Sequence, residues 1–107
     1  MLPASVRIFV CTAPQDMRRN FDGLALATRQ LLGEDPQSGA LFVFVNKRRN
    51  RAKVLWYERN GYCLLYKRLH RALFCVPDIK AGSSVRIDAE GLAALLAGVS
   101  VQEKLDA

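Results

Sequence analysis

The sequence contains a single histidine, His70, and this scarcity excludes several kinds of catalytic site. A two-histidine metal nuclease or a two-histidine zinc motif needs a second imidazole. A Ser-His-Asp triad would have to use His70, whose neighbours are cations that do not orient it as a base. The phosphate-binding pattern G-x-x-x-x-G-K-[ST] is also absent. The sequence therefore predicts no catalytic residue, no metal site and no cofactor, and His70 is interpreted as a solvated residue of a basic face.

Cysteine and long apolar runs are scarce as well. Cys11, Cys63 and Cys75 make an odd number in strand-like apolar surroundings, a pattern typical of buried, reduced thiols. No apolar run approaches the roughly 18 residues that span a bilayer. The N-terminus from Met1 to Thr12 also lacks the charged start and apolar core of a signal peptide. We therefore expect a cytoplasmic protein that does not bind membranes.

The length of 107 residues predicts one domain over 1–107, because there is no room for a second core. The hydrophobic pattern indicates an α+β fold with an antiparallel meander over about 41–76. A first helix is predicted over about 21–33, capped by Asn20 or Asp22 and ended by Gly33. A second is predicted over about 89–98, capped by Asp88. Both helices are expected on one face of the sheet.

Shorter elements complete this prediction. Leu41–Val45 is apolar on both faces and is therefore expected to be a central strand. The Asn-Gly sequence that ends Glu58–Gly61 indicates a tight hairpin. Lys67–Arg71 is predicted as a helical turn and Ala72–Val76 as another strand. Ile79–Ser84 is predicted as a linker to a last short strand and the C-terminal helix.

Positive charge is concentrated in one segment. Between Asn46 and Arg71 there are nine lysines and arginines against one acid, Glu58, so the segment carries +8. The whole chain carries +6, and the remainder therefore sums to −2. A local excess of cations, rich in arginine, suits phosphate groups and guanine edges. An acidic protein surface and a solvated, aggregation-resistant loop are the alternative explanations of such a patch.

Several motifs in this region resemble a known family. Asn46–Lys53 fits N-[KR]-R-R-[ND]-R-x-K, Leu55–Leu64 fits L-W-Y-x-x-x-G-Y-C-L, and Tyr66–Leu69 reads Y-K-R-L. Upstream, Asp16–Leu24 fits D-M-R-x-x-F-D-G-L, and Asp35–Phe42 fits a third block. In order and spacing these blocks resemble the TnpB-type accessory proteins (Orf-two-like proteins) of the insertion sequence 66 family of bacterial transposons. They define a motif-bearing core over 1–78, followed over 79–107 by a linker and a C-terminal strand and helix.

The resemblance implies a non-catalytic accessory protein that assists transposition beside a separate transposase. Combined with the charge pattern, it predicts DNA as a partner, either transposon ends or non-specific duplex, and permits a homo-oligomer. The alternative is an adaptor that docks on the transposase or on itself without direct DNA binding. The predicted nucleic-acid contacts are the cations Arg18, Lys47, Arg48, Arg49, Arg51, Lys53, Arg59, Lys67, Arg68 and Arg71.

Two acids in the first motif block need a separate interpretation. Asp16 and Asp22 could pair as metal ligands for phosphoryl transfer, which requires carboxylates close together. A spacing of six residues does not place them on one helix face, and Asp22 can act as a helix cap. We therefore interpret both as structural, with Asp16 ordering the loop by pairing with Arg18 or Arg19.

Overall fold

The computed structural model describes residues 5–77 and 83–100. Seven strands and two α-helices follow one another along these residues. They are β1 (Ile8–Cys11), α1 (Phe21–Ala27), β2 (Leu41–Val45), β3 (Arg51–Glu58), β4 (Gly61–Arg68), β5 (Ala72–Leu73), β6 (Ser84–Ile87), α2 (Ala89–Ala97) and β7 (Val99–Ser100). The predicted α+β class is confirmed. Most of the predicted linker that begins at Ile79 lies outside the described residues.

The main sheet has five strands in the order β4-β3-β2-β1-β6. Strand β2 lies in the middle and all five of its residues are buried, which confirms the prediction from its apolar faces. The meander β2-β3-β4 is antiparallel, but β1 runs parallel to β2, with Ile8 opposite Leu41. Strand β6 forms the other edge by antiparallel pairing with β1, so Ser84–Ile87 belongs to the same sheet as the meander.

The two helices lie on opposite faces of this sheet, so the prediction that both cover one face is wrong. On one face Leu24 of α1 packs in a cluster with Phe42 and Phe44 of β2. On the other face Leu92 and Leu95 of α2 pack with Ile8, Val10, Leu41 and Val43. The apolar residues on both sides of β2 require a cover on each side, because burial of apolar area is the main stabilising term. We name these surfaces the α1 face and the α2 face.

The helix ends follow local chemistry. Helix α1 continues into a π-helical segment, Thr28–Leu32, and Gly33 ends it in the left-handed conformation, as predicted. Asn20 stands at the N-terminal boundary of α1 without a side-chain capping bond, and Asp22 lies in the first turn, so neither side chain caps as predicted. In α2 the Asp88 carboxylate accepts a hydrogen bond from the Gly91 amide at 2.7 Å, which confirms the predicted cap.

The β3–β4 hairpin is tight, as predicted, but its two loop residues are Arg59 and Asn60. Their φ angles are 50° and 69°, whereas Gly61 already pairs with Glu58 in the sheet. Two consecutive positive φ values are the signature of a type I′ turn, whose twist matches that of the strands. The loop therefore begins one residue earlier than an Asn-Gly loop would.

The chain after β4 differs from the prediction. Lys67 and Arg68 belong to β4, so the predicted helical turn at 67–71 is wrong. The strand predicted over 72–76 contains only Ala72 and Leu73, which pair with β7 in a separate two-stranded sheet. The meander therefore ends at Arg68.

Among the described residues, no helix is long and apolar enough to cross a membrane.

Candidate nucleic-acid interface

The turn between β2 and β3 is ordered by Asn46. Its side-chain oxygen accepts hydrogen bonds from the backbone amides of Asn50 and Arg51, both at 3.0 Å. Its side-chain nitrogen donates to the Asn50 side-chain oxygen at 2.8 Å. Arg49, which lies in this turn, adopts a φ of 61°, and its carbonyl accepts a hydrogen bond from the Phe74 amide at 2.7 Å. The cations of this turn are therefore presented from a fixed backbone, since asparagine side chains readily replace backbone partners in turns.

Cations from three parts of the chain converge beside this turn. Arg18 precedes α1, Lys47 and Arg48 lie in the β2–β3 turn, and Arg51 begins β3; all four line an open groove of about 410 Å³. Tyr66 of β4 lines the same groove, and with Arg51 and Arg68 it also lines a second hollow of about 200 Å³. We name this set of five cations the basic end: Arg18, Lys47, Arg48, Arg51 and Arg68.

Arg18 is positioned by Asp16. The guanidinium forms a fork with the carboxylate, with Nε at 2.9 Å and Nη2 at 2.6 Å from Oδ2. The Arg18 side chain is 91% exposed, so the rest of its guanidinium faces solvent. Hydrogen bonds from Arg18 lower the pKa of Asp16 to about 2, and the same contact raises the pKa of Arg18. The predicted pairing of Asp16 with Arg18 is confirmed. Because Asp16 occupies the Nε edge, the outer Nη groups are the part of this guanidinium that can reach a phosphate.

Arg51 and Arg68 lie opposite each other across β3 and β4. The Arg51 Nη1 donates a hydrogen bond to the Tyr66 hydroxyl at 2.9 Å, and Tyr66 is 49% exposed. Two like charges directly opposite each other destabilise a sheet. A bound anion between them would relieve this repulsion, and the half-exposed tyrosine ring beside them offers a surface on which a base can stack.

Two predicted contacts are engaged inside the protein. Lys53 is only 6% exposed, its ammonium donates to the Arg19 carbonyl at 2.7 Å, and it lies 4.8 Å from the centroid of the Tyr66 ring. Lys67 projects from the α2 face, and its ammonium donates to the Leu96 carbonyl at 2.7 Å, near the C-terminus of α2. That position favours a cation because of the helix dipole. Both lysines hold elements together, so the structure does not place them in the basic end.

The remaining predicted cations are scattered. Arg59 occupies the hairpin loop at the far end of β3, eight residues after Arg51 and therefore roughly 26 Å from it along the strand. Arg49 is exposed and lines a small hollow with Cys11, Thr12 and Val76, and Arg71 is exposed in the bend after β4. None of these three lines the groove of the basic end. Sequence reasoning missed Asn46, although an asparagine that opens a turn is a recognisable signal.

The cysteines differ from one another more than predicted. All three are free thiols, but only Cys11 is buried; Cys63 is partly buried and Cys75 is exposed. Burial raises the pKa of the Cys11 thiol, which also contacts the Ala13 carbonyl and Gln15. The prediction of three buried thiols is wrong for Cys75, because the chain leaves the main sheet after Arg68. His70 is exposed in the same bend, as predicted.

One family model matches most of the chain. A sequence model of the family described as IS66 Orf2 like protein matches residues 6–105. Two proteins of Sinorhizobium fredii (strain NBRC 101917 / NGR234), both described as uncharacterised, are similar over most of their length. The first, y4hO, is 38% identical over 101 residues, covering 92% of this chain and 87% of the relative. The second, y4jC, is 34% identical over 94 residues, covering 88% and 80%. No solved structure matches the chain.

Proposed function

This chain belongs to the IS66 Orf2-like family, and from that premise we propose that it is a non-catalytic accessory protein that assists transposition by binding duplex DNA through its basic end. The family links the chain to an insertion-sequence element, and the transposase of that element is the implied protein partner. The proposed DNA binding is inferred from the geometry of the cations.

One observation carries this proposal. Arg18 and the cations of the β2–β3 turn lie far apart in sequence, yet they line one open groove, next to Arg51 and Arg68. In the part of the chain that the structure describes, Asp16 is the one acid that lines this groove, and its carboxylate is bonded to Arg18, so the other cations of the groove have no acidic partner within it. Gathering like charges costs stability through repulsion, and a polyanion that binds between them offsets that cost. Open cationic grooves with a flanking aromatic ring are typical of nucleic-acid contacts.

Salt dependence tests the proposal directly. Fluorescence anisotropy with transposon-end and random duplexes, repeated at several salt concentrations, gives the slope of log affinity against log salt. If the five cations of the basic end each contact a phosphate, the slope should be about −4 to −5. A preference for transposon ends would indicate base readout in addition to phosphate contacts.

A matched pair of variants tests the location. Arg48→Ala with Arg51→Ala should leave stability within about 0.5 kcal/mol, because both side chains lie at the surface, and should reduce the salt slope by about 1.8. The control, Arg29→Ala with Arg59→Asn, removes two exposed arginines elsewhere and lowers the net charge equally, from +6 to +4. Asparagine is chosen at 59 because it tolerates the positive φ there. Equal losses of affinity in both variants would contradict a localised interface.

The non-catalytic part of the proposal has its own test. Asp16 is held by Arg18, and Asp22 lies in the first turn of α1, so we expect no DNA cleavage with magnesium or manganese. Metal-dependent nicking that disappears in folded Asp16→Asn and Asp22→Asn variants would overturn it. Unchanged DNA affinity in the Arg48→Ala, Arg51→Ala variant, with co-purification of transposase, would favour the adaptor function instead.

A further inference from the structure

Strand β4 is a long, open edge of the main sheet. It has eight residues and pairs only with β3 among the described strands. In a two-residue hairpin, the residues that flank the loop, Glu58 and Gly61, form a hydrogen-bonded pair. Hydrogen-bonded and non-hydrogen-bonded pairs then alternate along the two strands, and in β4 the residues of the non-hydrogen-bonded pairs direct their backbone N–H and C=O groups away from β3. The bond from the Leu69 amide to the Asn50 carbonyl, at 2.8 Å, continues this alternation. The outward backbone groups are therefore those of Tyr62, Leu64, Tyr66 and Arg68.

Within residues 5–77 and 83–100, this edge lacks the usual protection against pairing with another strand. Natural edges carry outward charges, prolines or bulges, whereas Tyr62–Tyr66 contains no charge and no proline. The nearest lysine, Lys67, is turned away to the Leu96 carbonyl. On the α2 face Leu65 is 41% exposed. It borders a hollow of about 250 Å³ whose lining, which includes Trp56, Leu92 and Leu96, is apolar.

We propose that β4 pairs antiparallel with β4 of a second copy, around a two-fold axis at Leu65, to form one continuous ten-stranded sheet. A two-fold axis perpendicular to the sheet keeps the α1 faces of both copies on one side. Such an axis passes between two copies of the same residue. The residue numbers of any pair across the interface therefore add up to twice the number of that central residue. Of the possible centres, only Leu65 pairs all four outward residues: Tyr62 with Arg68 of the other copy, and Leu64 with Tyr66 of the other copy.

Three features make this register self-complementary. The four outward residues of each strand carry one donor and one acceptor each, so all of them are satisfied by eight backbone hydrogen bonds. Leu65 lies against Leu65 of the other copy, which covers its exposed surface and joins the two apolar hollows. The two Arg68 residues are six positions out of register, roughly 20 Å apart, so they do not repel at close range, and each faces a tyrosine ring.

The inference does not rest on the proposed DNA binding, but it has a consequence for it. Because the α1 faces share one side, the dimer presents both copies of Arg51, Tyr66 and Arg68 on that side. One duplex could then contact two basic ends.

Mass measurement without DNA tests the dimer. Light scattering after size exclusion should give twice 12.0 kDa for the full chain. Leu65→Lys should raise the dimer dissociation constant at least ~10-fold, because it places like charges opposite each other on the axis. Leu31→Lys is the matched control, since Leu31 is 38% exposed and lies in the π-helical segment, away from β4; it should leave the mass unchanged. A monomer at all soluble concentrations, or a dimer insensitive to Leu65→Lys, would overturn the proposal.

Cross-linking tests the register. In a background with Cys63→Ser and Cys75→Ser, Leu65→Cys should form an intermolecular disulfide under mild oxidation. Directly opposite residues in such a pair have Cα atoms about 4.5–5.5 Å apart, within the range for a disulfide. Leu31→Cys in the same background should not cross-link. A folded Leu65→Cys variant that is dimeric but does not cross-link would exclude this register. A monomeric chain whose β4 pairs with a strand of another protein would overturn the dimer.

Discussion

Replacing Lys53 by methionine separates the two roles that a lysine in this segment can have. Its ammonium is buried, donates to the Arg19 carbonyl at 2.7 Å and lies 4.8 Å from the Tyr66 ring centroid. Methionine keeps the length of the apolar stem but removes the charge. The change should therefore affect stability, because Lys53 ties the segment before α1 to β3, and should leave DNA affinity nearly unchanged.

The magnitude follows from the two interactions of the ammonium that methionine cannot make. A hydrogen bond to a charged group contributes about 1.5–3 kcal/mol, and a cation–π contact about 0.5–1 kcal/mol. Removing a buried charge also removes its desolvation cost, which offsets part of this stabilisation. We expect a net destabilisation of about 1–2 kcal/mol. For a domain of this size each kcal/mol lowers the midpoint of thermal unfolding by roughly 4–8 °C.

Urea denaturation and DNA titration of the same preparation provide the assay. The matched control is Arg68→Met, which removes a cation from an exposed position on the same face of the hairpin. It should leave the free energy of unfolding within about 0.5 kcal/mol and reduce the salt slope of DNA binding by about 0.9. The reasoning is refuted if Lys53→Met retains full stability but loses DNA affinity, because Lys53 would then contact DNA.

Three further predictions concern local structure. Asp88→Ala should cost about 1 kcal/mol in urea denaturation because the capping bond is removed, whereas Asn20→Ala should cost less, since its side chain makes no such bond. Gly98→Ala should lower the melting temperature measurably, because the φ of 75° and a leucine methyl 2.6 Å from the added Cβ both oppose it; an unchanged midpoint would contradict this. A thiol reagent should modify Cys75 first and buried Cys11 only after unfolding, with three thiols in total and no disulfide.

Local patterns were sufficient for features that depend on neighbouring residues. The apolar faces of Leu41–Val45 indicated a central strand, and Gly33 and Asp88 indicated helix ends, because turn and cap chemistry acts over a few residues. The motif blocks indicated the family. Sequence reasoning missed that β1 runs parallel to β2, although a strand–helix–strand order is typical of a parallel crossover unit.

The charge pattern by itself determined that the protein has a concentrated positive surface, because nine cations against one acid cannot all be neutralised within their own segment. Which of these cations face outward was decided by the tertiary structure. Strand alternation places Lys53 and Arg51 on the same face, but only the packing of the segment before α1 buries Lys53 and leaves Arg51 open. Likewise, Arg18 joins the basic end because the fold brings distant residues together, and burial and long-range charge depend on that arrangement in space.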